Sequence, residues 1–279
     1  MSGGERQAGP RGFALITVLW AMLILAAIAT SVLATGRTES RLSATHRGIA
    51  ELDAVADAAI NLTILHLLSQ ETEDRPPVDA TPFTIEFAGY HVAMTAQDES
   101  GKIDLNMADA DLLRQLLIAA GVDNRAVPAL LDKILDWREN GPGKRLNGAK
   151  APDYESAGLL YGPRNAPFQS VEELQLVMGM TPALYQRLAP SLTIYSQTPW
   201  VDPAFAPRDV MAALNGLSGP ATTPTQPGDN SARTGGVMVG HAFTLRAALE
   251  GPDGLRVMRV AVIRLNGTAG APYGIYHWD

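Results

Sequence analysis

The residue types that most often perform catalysis or bind metal ions are few and scattered in this sequence. Five histidines stand singly, outside any H-E-x-x-H pair: His46, His66, His91, His241 and His277. There is no cysteine, so disulfides and thiolate ligands are excluded. No G-x-S-x-G motif occurs, and the glycine-rich stretch at 141–145 lacks the spacing of a P-loop. The sequence therefore predicts a protein that is not an enzyme.

Composition narrows the class of partner. The chain has 22 basic and 29 acidic residues and a net charge of -7. This charge argues against an extended positive surface that binds the phosphate backbone of nucleic acid. Its 279 residues are 46% hydrophobic, enough to bury a core in one or two domains.

An uncharged apolar segment runs from Phe13 to Gly36. At about 1.5 Å per helical residue it is long enough to cross a hydrocarbon core of roughly 30 Å. Arg6 and Arg11 precede it and favour a cytoplasmic N-terminus, so the chain after Arg37 is predicted to lie outside the cytoplasm.

This segment has three interpretations. A cleaved secretory signal would have an apolar region of only about 7–15 residues, although Ala27–Ala29 could serve as its cleavage site. An uncleaved anchor fits the length. The third is a pilin-type signal, because Arg11-Gly12-Phe13 resembles the site at which prepilin peptidase cuts type IV pilins and pseudopilins. That resemblance implies cleavage after Gly12 and N-methylation of Phe13.

The apolar segment continues into an amphipathic pattern with helical spacing, formed by Leu42, Ile49, Leu52, Ala56, Ile60, Ile64 and Leu67 or Leu68. No proline interrupts the chain from Phe13 to about Gln70. The pattern predicts one helix of roughly 85 Å, whose second half packs on the chain's own domain.

The fifth residue after the predicted cleavage is Thr17. Most pilins and pseudopilins carry glutamate at that place, where it is thought to compensate the N-terminal amine of a neighbouring subunit. A buried carboxylate is costly unless it is paired. Its absence indicates a tip position, with no subunit ahead in the filament.

Motifs along the whole chain are similar to those of general secretion pathway protein K, the large minor pseudopilin of type II secretion. They are Arg11–Leu19, Lys102–Ala108, Asp136–Trp137, Asn165–Leu174 and Tyr273–Trp278. The resemblance implies a subunit at the pseudopilus tip that initiates pseudopilus assembly for export of folded proteins across the outer membrane. It implies a single-pass inner-membrane protein with a periplasmic bulk. The implied partners are minor pseudopilins I and J, major pseudopilin G and prepilin peptidase.

The expected fold is α+β, with a pilin-like long N-terminal helix packed on an antiparallel sheet and an inserted all-α domain of SAM-like or helix-hairpin-helix-like type. The predicted parts are a leader (1–12), a membrane span (13–36), a periplasmic helix with first strands (37–98), the inserted domain (99–218), a flexible connector (219–236) and C-terminal strands (237–279).

Patterning places a hairpin around Ala88-Gly89 and a second one around the turn at 251–254. Short amphipathic helices are predicted between Ala108 and Ser191, separated by a structured loop from Asn140 to Pro167. The stretch 206–214 repeats the pattern of 108–116 and predicts a further helix packing on this domain.

A group of oxygen-bearing residues flanks that loop: Asp136, Glu139, Asn140, Asp153 and Glu155. The family resemblance implies calcium as a candidate ligand, and no other cofactor is expected. The alternative is a helix C-terminus with solvated acidic side chains.

The inserted helices also resemble those of membrane-anchored helix-hairpin-helix DNA-uptake proteins. Such hairpins carry two glycines whose N–H groups meet a phosphate. Here Gly121 and Gly179 each lack the second glycine, and Pro182 removes a donor. Nucleic acid is therefore not expected as a partner.

Overall fold

The computed structural model describes residues 11–69, 75–217, 238–268 and 270–279. Most of the predicted leader and the predicted connector at 219–236 lie outside these ranges. The helices are α1 Arg11–Leu68, α2 Ala110–Ala119, α3 Val127–Arg138, α4 Ala151–Ser156, α5 Pro182–Leu188 and α6 Arg208–Gly216. The strands are β1 Phe83–Phe87, β2 Tyr90–Asp98, β3 Ile103–Asp104, β4 Leu192–Thr193, β5 Ala242–Glu250, β6 Arg256–Thr268 and β7 Ala271–Trp278.

The N-terminal helix is continuous, as its sequence predicts. Its second half buries an apolar stripe at a spacing of three and four residues: Leu52, Ala56, Ile60, Ile64 and Leu67, each at most 2% exposed. Ile49 lies at the edge of the stripe and is 37% exposed, and the side chain of Leu42 is outside the described set. Each fully buried aliphatic side chain contributes roughly 1.5–3 kcal/mol, so the stripe fixes α1 to its sheet.

That sheet has five antiparallel strands in the order β1-β2-β5-β6-β7. Alternate residues of the central strands face α1 and are fully buried: Val92, Met94, Phe243, Leu245, Ala261 and Ile263. The β1–β2 turn has positive φ at Ala88 (52°) and Gly89 (82°), the backbone of a type I′ hairpin turn. The expected pilin-like arrangement is therefore present.

The inserted domain has a core of its own, made by α2, α3, α5, α6 and the segments between them. Helix α2 ends in a Schellman motif, in which Gly121 has φ 82° and its N–H donates to Ile118, while the N–H of Val122 donates to Leu117. Helix α6 packs on α2, as the repeat in the sequence predicts, because Gly216 lies directly against the side chain of Gln115.

Three details of this domain differ from the expectation. It is not purely helical, because β3 and β4 pair in parallel through Ile103 with Leu192 and Asp104 with Thr193. The stretch Val171–Leu176, expected as one of the short amphipathic helices of an all-α domain, forms a 3-10 helix. The loop between Asn140 and Pro167 contains α4, which starts with a proline in its first turn.

Polar side chains join the two cores at the point where the inserted domain leaves and rejoins the sheet. Asp98 is fully buried and lies 2.7 Å from Nδ1 of His241. Burial lowers the pKa of His241, but the hydrogen bond and charge of Asp98 outweigh it and hold the pKa above its ordinary value. Glu99 accepts bonds of 2.7 Å from both Lys102 and Thr244, so its buried carboxylate is paired.

Gly101 permits a close approach between its own backbone and that of Phe205 at this junction. A Cβ atom there would lie 2.2 Å from the carbonyl oxygen of Phe205, in the 3-10 helix Pro203–Phe205. That helix is also held by the side chain of Gln97, which donates to the same carbonyl at 3.0 Å. The entry and exit segments of the inserted domain are thus in direct backbone contact, and the Gln97 side chain ties them to the end of β2.

We expect Gly101→Ala to destabilise the protein by about 1–3 kcal/mol, because the added methyl group must push the 203–205 helix away. Urea denaturation of the fragment beginning at Arg37, followed by circular dichroism, measures the change. Gly143→Ala is the control, since nothing lies within 4 Å of its Cβ position, and it should change stability by no more than about 0.5 kcal/mol. Equal stability of the two variants would contradict the backbone contact.

Candidate functional site: the helical domain and the assembly helix

Asp104 anchors the segment through which the chain passes into the helical domain. One carboxylate oxygen accepts from the backbone N–H groups of Asn106 (2.8 Å) and Met107 (3.1 Å). The other accepts from the N–H of Gln197 (2.9 Å) and the hydroxyl of Ser196 (3.2 Å). The incoming and outgoing segments of the domain are therefore tied by one buried side chain.

Asn106 connects two of the sequence motifs to each other. Its amide nitrogen donates to the carbonyl oxygen of Phe168 at 3.0 Å, and its amide oxygen accepts from the N–H of the same residue at 2.7 Å. Both backbone groups of Phe168 are satisfied as they would be in a strand pair. The motif beginning at Lys102 thus positions the motif beginning at Asn165.

Trp137 fills the centre of this arrangement. Its ring lies 6.1 Å from that of Phe168, stacked at 16°, and 6.1 Å from that of Tyr154, tilted at 54°. Its indole N–H points to a carboxylate oxygen of Glu173 at 3.4 Å. Next to it, Arg138 donates to the carbonyl oxygens of Leu105 and Ala108.

These motif residues contact one another and backbone groups, so their role is to build the scaffold. Lys102, Asn106, Trp137 and Phe168 are held by neighbours within the fold. The arrangement fixes the shape of a surface of the helical domain.

The predicted calcium residues lie around the end of α3. Asp136 is fully buried, and its carboxylate accepts from the N–H of Arg145 at 3.2 and 3.3 Å. Burial raises the pKa of Asp136 above its ordinary value, against the opposing effects of that N–H and of nearby positive charges. Glu139 pairs with the guanidinium of Arg145. Asp153 pairs with Nζ of Lys144 at 2.7 Å.

This donor set does not fit a calcium ion. Three of the predicted ligands, Asp136, Glu139 and Asp153, already face basic groups of the chain, and the other two, Asn140 and Glu155, are exposed. Among the residues that the structure describes, no group of three or more acidic or histidine side chains could hold a metal ion. The basic residues that occupy the acidic groups were not singled out from the sequence, although they stand between the acids in the same loop.

The first half of α1 presents large apolar side chains that nothing in the described chain covers, among them Leu15 (78% exposed), Trp20 (62%) and Leu25 (66%). Gly12 and Phe13 lie in its first turns, and the side chain of Phe13 is outside the described set. Thr17 is exposed on the same helix.

Within the described part of the chain, no helix is long and apolar enough to cross a membrane.

Comparison with known proteins identifies the helical domain. Residues 92–197 match the family model described as type II secretion system protein K. The motifs around Lys102, Asp136 and Asn165 all fall within this match. Residues 92–197 are therefore similar to the corresponding part of type II secretion system protein K.

Two relatives bear the same name. Type II secretion system protein K of Dickeya chrysanthemi is 34% identical over 85 residues, 30% of this chain and 23% of that protein. Protein K of Klebsiella pneumoniae is 39% identical over 83 residues, 29% of this chain and 25% of that protein. The chain is thus matched to about a quarter of the length of these relatives.

The whole fold is similar to that of a solved protein. A chain in the crystal structure of the GspK-GspI-GspJ complex from the type 2 secretion system of enterotoxigenic Escherichia coli has a TM-score of 0.60 to this chain, at 15% identity. The likeness covers 86% of this chain and 98% of the other, and it confirms the α+β fold. The relatives and this complex are secretion proteins, so the DNA-uptake alternative gains no support.

We expect Asn106→Ala to destabilise the helical domain by about 1–3 kcal/mol, because it leaves the N–H and carbonyl of Phe168 without their partners. Urea denaturation of the fragment from Arg37 measures this loss. Asn124→Ala, at an exposed position, is the matched control and should stay within about 0.5 kcal/mol of the parent. A wild-type midpoint for Asn106→Ala would show that the two motifs do not support each other.

Proposed function

We propose that this chain is a minor pseudopilin of the type II secretion system, placed at the pseudopilus tip. There it initiates assembly of the filament used to export folded proteins across the outer membrane. The observation that carries this proposal is the combination of a protein K domain with its point of insertion. The domain interrupts a pilin-like sheet packed on one long helix.

The two halves of α1 have different tasks in this proposal. The second half is buried on the chain's own sheet, which fixes the direction in which the helix leaves the domain. The first half carries exposed apolar side chains and an uncharged sequence from Phe13 to Gly36. Apolar surface of this size is covered in the functional state, by the inner membrane before assembly and by neighbouring helices within the filament.

A tip position follows from Thr17. A shaft subunit needs a carboxylate at the fifth mature position to compensate the amine of the subunit ahead, whereas threonine offers no charge. Adding this subunit beneath another would leave that amine unpaired in an apolar environment. The chain therefore begins a filament and does not extend one.

The partners follow from the likeness to the GspK-GspI-GspJ complex. Minor pseudopilins I and J would form the tip with this chain, and major pseudopilin G would continue the filament below it. Prepilin peptidase would process the N-terminus at Gly12-Phe13, and Phe13 would be methylated. The chain would be anchored once in the inner membrane, with its N-terminus cytoplasmic and its bulk periplasmic. This role is structural and requires no catalytic group.

We expect Gly12→Ala to prevent processing, so that the chain keeps its leader and does not begin at Phe13. Mass spectrometry of the N-terminal peptide, from chain expressed together with the cognate prepilin peptidase, reports the outcome. Gly36→Ala, at the far end of the same apolar segment, is the control and should be cleaved normally. The same mature N-terminus in Gly12→Ala and wild type would contradict a pilin-type signal.

We expect the fragment from Arg37 onward to co-purify with the soluble domains of minor pseudopilins I and J from the same organism. The three should elute together in size-exclusion chromatography. The soluble domain of major pseudopilin G tests specificity and should not replace I or J in the complex. Elution of the fragment apart from I and J would contradict the tip assignment.

A further inference from the structure

The end of helix α3 leaves carbonyl oxygens that have no partner within the helix. The last carbonyls of any α-helix are unsatisfied in this way, and they form the negative end of the helix dipole. Here that end meets the segment from Glu139 to Pro167, called the acidic loop after Glu139, Asp153 and Glu155, and the carbonyl of Asp136 belongs to a fully buried residue. A cation or a set of N–H donors is needed at this position.

Lys150 supplies that cation from within the chain. It is only 7% exposed, and its ammonium lies 2.7 Å from the carbonyl oxygen of Asp136 and 3.1 Å from that of Glu139. A third contact, 2.8 Å long, reaches the side-chain oxygen of Asn165. An ammonium group has three donors, and all three find an acceptor.

The same lysine connects the start of α4, the end of α3 and the turn at Asn165. Its backbone N–H donates to a carboxylate oxygen of Asp153 at 2.9 Å, which caps the start of α4. Its side chain reaches the end of α3 and the turn at Asn165, a residue held at φ 53°. The loop also closes tightly on α3, since a Cβ atom on Gly148 would lie 1.8 Å from the carboxylate of Asp136.

Several carboxylates around this point already face basic groups. The carboxylates of Asp136, Glu139 and Asp153 face three basic side chains, those of Lys144, Arg145 and Lys150. A divalent cation placed among them would meet these positive charges at short range and would have to displace them. The buried position is already filled by an ammonium with complete hydrogen bonding, which is the condition under which a buried charge is tolerated.

We infer that Lys150 is the internal cation of the acidic loop, and that it holds the loop closed in the place where a metal ion would otherwise be required. The helical domain of this chain therefore folds without calcium. The inference is independent of the tip assignment, because it concerns the closure of one loop and involves no partner chain.

Full-length chain in detergent micelles tests this inference through its thermal unfolding, followed by circular dichroism. The wild-type midpoint should be the same in excess CaCl2 and in excess EGTA, and titration of EGTA-treated chain with CaCl2 should give no saturable heat. A higher midpoint with calcium, or saturable binding, would overturn the inference. This arm needs no variant.

Lys150→Met keeps the apolar stem but removes the charge and its three bonds. Its unfolding midpoint should fall by roughly 5–10 °C in either solution, since three buried oxygens lose the ammonium that donates to them. Lys144→Met is the matched control, because Lys144 is a half-exposed lysine in the same loop, and it should shift the midpoint by less than about 2 °C. Equal midpoints for the two variants would overturn the inference.

Where Lys150→Met does not fold, Lys150→Arg provides the remaining variant. A planar guanidinium keeps the positive charge but cannot direct its donors to the same three oxygens. Limited proteolysis should then cut the acidic loop faster than in wild type, and CaCl2 should not slow the cutting. Cutting at the wild-type rate would show that the three-oxygen geometry is unimportant.

Discussion

A single helix in this protein carries more apolar surface than its own domain can cover. The second half of α1 is buried against the five-stranded sheet, while side chains of the first half, such as Leu15 and Trp20, are exposed. Because the helix is continuous, the covered half sets the direction of the uncovered one. Apolar side chains exposed at this density require another surface to cover them.

A whole domain can be inserted into the sheet because the two ends of the inserted segment lie next to each other. Asp98, where the chain leaves β2, is paired in register with Phe243, where it resumes in β5. Within the insert, the β3–β4 pair closes the two ends a second time. The cost of closing a long loop grows only slowly with length, and a folded insert with adjoining ends adds little to it. The sheet can therefore keep neighbouring strands on either side of a large domain.

Much of this fold was predictable because it depends on local periodicity. The stripe around Ile60 and the turn at Ala88-Gly89 have short-range patterns, and the structure confirms both. The β3–β4 pair was missed because two-residue strands far apart in sequence leave no such pattern. The sequence predicts a short amphipathic helix at Val171–Leu176 but not its type, because an apolar spacing of three suits both an α-helix and the observed 3-10 helix.

The acidic loop shows a different limit of sequence reasoning. The sequence identifies its acidic residues, and considered alone these carboxylates favour a metal site. The sequence does not show which basic groups pair with them. Lys150 has no such signature, since two of its three acceptors are backbone carbonyls that every residue possesses. Only the fold reveals that these carbonyls end a helix and are buried. A cation site of this kind can therefore be recognised only once the backbone is known.

The polar junction between the two cores gives the helical domain a fixed orientation on the long helix. Glu99, Lys102 and Thr244 form a buried charge-assisted network, and Gly101 brings the segment that follows β2 into backbone contact with the 3-10 helix Pro203–Phe205. Removing one partner of such a network leaves an uncompensated charge, so the junction resists partial opening. A surface presented by the helical domain therefore keeps a fixed orientation relative to α1. These polar residues therefore hold the helical domain rigidly on the sheet.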